Sequence, residues 1–212
     1  MRRHVIATVV AAAAVLVAAV PAQAAGTAGT TTHAVAVTIT PEVQAYLDTL
    51  TPRQRAEFVA TKLPATIVET TGPQHPVDAA ARAAAAAATL TGARVSPLAT
   101  GCWTARTSGS AKAALGNTLY TYFHVGGWCA SGSIVTSAWV ADAGGETSTP
   151  GWSYVGVINR NSGVVSNEGR SYSQTKFVLG SGGWIIQSPT PCLRISGTSA
   201  PAATAAGTCG IS

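Results

Sequence analysis

The segment from Asn117 to Asp142 narrows the possible folds of this chain more than any other. Asn117 to Val125 is dense in β-branched and aromatic residues, which pack well on a pleated surface. Gly126 to Ser133 interrupts that pattern with glycines and Cys129, and Ile134 to Val140 resumes it. The segment reads as a β-hairpin whose bend carries a disulfide.

Further strands are expected downstream. Gly144-Gly145 and Pro150-Gly151 mark turns, and Trp152 to Ile158 is a strand. Asn159 to Gly163 has the composition of a reversal. From Ser171 to Leu179 the chain alternates, with Ser171, Ser173, Thr175, Phe177 and Leu179 on one face. Gly180 to Gly183 turns it into Trp184 to Gln187, and Cys192 to Ile195 opens a last hairpin closed by Cys209. Without strand–helix alternation, a parallel sheet is disfavoured. The expectation is an all-β fold: an antiparallel β-sandwich or barrel of about 7–9 strands with two disulfides.

The N-terminal part differs in kind. Met1 to His4 is basic, Val5 to Val20 is apolar, and Ala22-Gln23-Ala24 is a small-residue cleavage pattern. Residues 1–24 read as a secretory signal peptide, the apolar run being short of the about 20 residues a membrane span needs. Residues 25–99 read as a helical or linker region, propeptide-like or a spacer, ahead of a β domain over 100–212. Thr40-Pro41-Glu42 and Thr51-Pro52 are two helix starts. Pro64 to Pro76 reads as a linker, and Ala79 to Ala88 as an alanine-rich helix with little to bury.

Export makes the four cysteines a disulfide framework. Cys102–Cys129 and Cys192–Cys209 are the favoured pairs, since each closes a loop between neighbouring strands, though a crossed pairing stays open. No Cys or His spacing suits a metal, and none is expected. Lys and Arg number 13 against 8 Asp and Glu. Loss of Arg2 and Arg3 with the signal leaves 11 against 8, scattered singly. That excludes the clustered basic footprint of a nucleic-acid binder. No membrane attachment is expected after cleavage, and the mature chain reads as a monomer without cofactor.

Chemistry-bearing groups are few past residue 100. His124 is the single histidine there, and Asp142, Glu146 and Glu168 the only carboxylates. Two facing carboxylates for a glycosidase, or a Ser-His-Asp set, would have to come from these. Aromatic residues are better represented. Tyr120, Tyr122 and His124 alternate on one face of their strand, opposite Leu119, Thr121, Phe123 and Val125. Together with Trp139 and Trp152 they form a candidate ligand-binding set, the alternative being that these rings are core. The segment Thr190 to Ile195 admits a second reading, as a disulfide-braced inhibitory loop.

The sequence Cys102-Trp103, Gly116-Asn117-Thr118-Leu119, Trp128-Cys129 and Trp152-x-Tyr154-x-Gly156 resembles a group of uncharacterised exported proteins of high-GC Gram-positive bacteria. The resemblance covers roughly residues 101–187. It implies a secreted β domain and carries over no catalytic residue. The expected function is a secreted, non-catalytic binding module facing cell-wall or extracellular polysaccharide. A protease inhibitor or antibacterial effector is the alternative, and a hydrolase built on His124 the third.

Overall fold

The computed structural model describes residues 29–80, 82–83, 100–200 and 202–212. Its elements are β1 (Gly29–Ala34), α1 (Pro41–Asp48), α2 (Pro52–Lys62) and β2 (Pro64–Pro76), then β3 (Gly101–Ala113), β4 (Thr118–Ser131) and β5 (Ile134–Thr147). They continue with β6 (Trp152–Val165), β7 (Glu168–Ser181), β8 (Trp184–Gln187), β9 (Cys192–Gly197) and β10 (Ala203–Ala206). One antiparallel sheet runs β1-β2-β3-β4-β5; the other runs β10-β9-β7-β6, with β8 also on β7. The all-β sandwich is therefore present, and both disulfides join the expected partners. The residues read as signal peptide fall outside the described ones, as does most of the alanine-rich segment.

Residues 64–76 are a correction. Read as a linker, they form β2, a 13-residue strand paired with β3 from Pro64↔Ala113 to Pro76↔Trp103. The prolines that suggested a linker sit at the ends of the strand or at its break between Thr71 and Gln74, where a missing N–H disrupts least. Residues 29–34, within the region read as helical or linker, add the edge strand β1. These two account for the sheet being larger than expected.

The helix starts are as read. Thr40 caps α1 by accepting from the Val43 N–H at 3.3 Å, and Thr51 with Gln54 forms a capping box on α2. The helices contribute Val43 and Leu47 to the core, and Leu63 follows at the end of α2. Hydrogen bonds tie them down: Trp152 Nε1 donates to the Lys62 carbonyl at 3.1 Å, and Asn117 Nδ2 donates to the Thr61 carbonyl at 3.0 Å.

Several glycines expected to turn the chain lie inside strands. β4 runs through Gly126 and Gly127 to Ser131, β5 through Gly144 and Gly145, and β6 through Asn159 to Gly163. The reversal after β6 comes further on, at Ser166-Asn167, both with positive φ (52° and 62°); the turn expected within Gly180 to Gly183 is present at Gly182-Gly183 (56° and 86°). Two successive left-handed residues match the right-handed twist of the flanking strands.

The interior holds two apolar clusters. The larger includes Leu119, Tyr120, Tyr122, Trp152, Phe177, Leu179 and the helix residues. The smaller is Trp103, Ala105, Trp128, Ala130 and Ile195. Buried His124, Ser171 and Ser173 belong to neither.

Candidate functional site

The two faces of β4 have opposite fates. Tyr120, Tyr122 and His124 point inward and are 2%, 3% and 0% exposed. Tyr120 stacks on Phe177 with ring centroids 4.3 Å apart and tilts against Trp152 at 4.8 Å. Trp152 is buried as well. Four of the five candidate ligand-binding side chains are thus core, as the large area of an aromatic ring favours. Burial holds the Tyr120 and Tyr122 phenols well above their ordinary range, so both stay protonated.

His124 sits between two hydroxyls of the opposite sheet. Its Nε2 lies 2.9 Å from Ser171 Oγ and its Nδ1 3.1 Å from Ser173 Oγ. Burial lowers its pKa to about 4, opposed by a hydrogen bond to the Ser171 backbone, so the ring is neutral at pH 7. Its two ring nitrogens are both taken by serines and none by a carboxylate. A hydrolase needs its base within reach of substrate and oriented by an acid, and this imidazole has neither. The carboxylates do not pair either. Asp142 and Glu146 stand four residues apart on β5, about 13 Å at a strand's rise per residue, too far for either glycosidase geometry. Glu168 is occupied by Arg170 at 3.0 Å. Among the described residues no group of three metal-ligating side chains occurs.

The inhibitory-loop segment is the strand β9. Leu193 and Ile195 are buried, and the Arg194 guanidinium donates to the carbonyls of Gly210 and Ser212 at 3.4 and 3.3 Å. Thr190 is the exposed residue of this segment and lies ahead of the strand.

What remains is the outer face of the five-stranded sheet. Trp139 on β5 is opposite Gly127 on β4, and a Cβ on that glycine would fall inside the indole ring. Phe123 on β4 lies over Gly144 on β5 in the same way, with a Cβ there 3.0 Å from the ring. Each ring lies along the sheet because its neighbour has no side chain. The Arg106 guanidinium stacks on Phe123, 3.7 Å from the ring centroid. Thr121 Oγ1 donates to Glu146 at 3.3 Å, and Arg106 Nε donates to Ser108 Oγ at 3.3 Å. Between these groups opens a cleft of about 230 Å³. The Cys102–Cys129 bridge fastens the far end of the same face.

Trp139 differs from Trp128 and Trp152 in one respect. Those two donate their indole N–H to the carbonyls of Thr198 and Lys62. The Trp139 N–H has no partner among the described residues. Of the expected site residues, only Trp139 is on a wet face. Phe123, Arg106 and Glu146 join it, none of them in the expected set. The signal for them was the alternation itself: three large rings on one face of β4 mark that face as core and the other as surface.

Fold and site together define a disulfide-bonded antiparallel β-sandwich with an aromatic and charged outer face. Comparison with known proteins yields no matching family, no matching curated protein and no matching solved structure.

Proposed function

We propose that this protein is a non-catalytic binding module that works outside the cytoplasm and holds glycan chains on the outer face of its five-stranded sheet. The observation carrying this reading is Trp139: a ring laid flat over Gly127 whose N–H has no partner among the described residues. A planar ring suits the apolar face of a pyranose, and its N–H suits a sugar hydroxyl. Phe123 with Arg106, Glu146 and two hydroxyls extends the surface along β4 by about 13 Å, four residues at a strand's rise. Neighbouring donors and acceptors would fix the orientation of a bound chain. Two disulfides fit an oxidising compartment. Among the described residues no helix is long and apolar enough to cross a membrane.

The test is retention on insoluble polysaccharides, including purified cell wall, followed by titration with soluble fragments. Trp139→Ala should weaken binding about tenfold, the equivalent of about 1.4 kcal/mol, without loss of fold. Phe123→Ala should weaken it less. Retention unchanged by both substitutions, or none on any polysaccharide, removes the basis of the proposal.

A further inference from the structure

A second concavity lies away from that face, where the arm between β1 and α1 passes over the edge formed by β8. The cleft measures about 470 Å³, within the range of small-molecule sites. Val35, Ile67, Ile185 and Ile186 supply aliphatic wall. The arm is held in place by Gln187 Nε2, which donates to the Thr38 carbonyl at 3.2 Å, and by the Val35 N–H, which donates to the Ala65 carbonyl at 2.9 Å.

Two polar features give the cleft a chemistry. Tyr120 lines it, and its hydroxyl makes no hydrogen bond to a described residue. An incoming carbonyl or ether oxygen could accept from that hydroxyl. Glu42 is the only lining residue that is charged at neutral pH. The Thr40 hydroxyl and the Glu42 backbone N–H hold its carboxyl below the ordinary range, so it remains anionic. An aliphatic wall, one donor seeking an acceptor and one negative charge specify a ligand by complementarity.

We infer that the cleft between residues 35–42 and β8 binds a small cationic amphiphile: an aliphatic chain carrying a hydrogen-bond acceptor and an ammonium group. The site is separate from the glycan surface and stands or falls independently of it.

The probes are N-alkylglycinamides from hexyl to decyl, below their micellar concentrations. They carry an ammonium group, an amide carbonyl and a tail of adjustable length. Controls are n-alkylammonium ions, which lack the carbonyl, and N-alkylsuccinamates, which carry a negative head. Calorimetric titration of the full chain should show saturable one-to-one binding. Affinity should rise about fourfold per added methylene until the cleft is full. The cationic amide should bind several-fold tighter than the succinamate, and Glu42→Gln should abolish that preference. Tyr120→Phe should abolish the advantage of the glycinamide over the alkylammonium. If Tyr120→Phe does not fold, the Glu42→Gln comparison decides alone, because that residue is on the surface. Amide resonances of Val35, Ile67 and Ile186 should shift. No saturable binding, indifference to head group, or shifts confined to the Trp139 face would each overturn the assignment.

Discussion

The two ends of the sandwich fill the same interior space by opposite means. At one end Leu119, Tyr120, Trp152, Phe177 and Leu179 pack against one another and are sealed by α1 and α2. At the other, Trp128 fills the gap almost alone, because Gly169 and Gly197 of the facing sheet make room for it. A Cβ on Gly197 would fall inside the Trp128 ring, and one on Gly169 would come within 2.6 Å of the Trp128 Cβ. Trp103 stacks beside it at 6.4 Å, and Cys102–Cys129 staples the two strands that carry both rings. The helix-capped end spreads its stability over many contacts, whereas the glycine-lined end concentrates it in one side chain.

That contrast predicts its largest effect at Trp128. Trp128→Ala should cost about 4 kcal/mol, more than Leu119→Ala at about 3, because no neighbour can collapse into the space. Urea midpoints for the two variants check this, and a larger loss for Leu119→Ala would break the comparison. Replacing Cys102 and Cys129 by serine should cost about 3.5 kcal/mol for a sequence separation of 27. Hydrogen exchange should then rise first around Trp103 and Trp128 and leave the helix-capped end protected.

Between the two ends, His124 gives a pH dependence. Its folded pKa of about 4 lies below the unfolded value of 6.5, so the unfolded chain takes up the proton first. Stability from this residue is complete above about pH 6.5 and declines as pH falls toward 4, reaching a loss of about 3 kcal/mol. Denaturant titrations from pH 7.5 to 4 should show that decline, and His124→Gln should flatten it. Gly197→Ala tests the Trp128 contact from the facing sheet: its methyl would overlap that buried ring and should cost about 3 kcal/mol or more, and a neutral result would mean that the ring has slack.

The sequence disclosed the elements more faithfully than their ends. Ser171, Ser173, Thr175, Phe177 and Leu179 were placed on one face by alternation, and all five are buried. The capped helices and both disulfide pairs were equally legible, because cap chemistry and loop length are local. Glycines were the main source of error. Gly126, Gly127, Gly144 and Gly145 carry no local mark separating a turn from a close approach. What fixes their role is the ring or hydroxyl that fills the missing side chain: Ser171 at Gly126, Trp139 at Gly127, Phe123 at Gly144 and Phe177 at Gly145. Those partners are distant in sequence or on another strand. β2 was hidden by its prolines for the same reason, since only β3 shows that they fall where pairing tolerates them. The candidate site suffered most. Tyr120 and Tyr122 were candidates for their ring chemistry, with the core as the alternative, and the crowding of rings on that face was the better indicator of depth.

The grip of Ser171 and Ser173 on one imidazole has a consequence for alignment. Greasy surfaces tolerate sliding, because one methyl group serves nearly as well as the next. Here two hydroxyls spaced two positions apart must meet opposite edges of a single ring. Shifting one layer past the other by a pleat would leave at least one of the serine hydroxyls without its ring nitrogen in a dry interior. The trio therefore acts as a locating pin that favours the alignment seen.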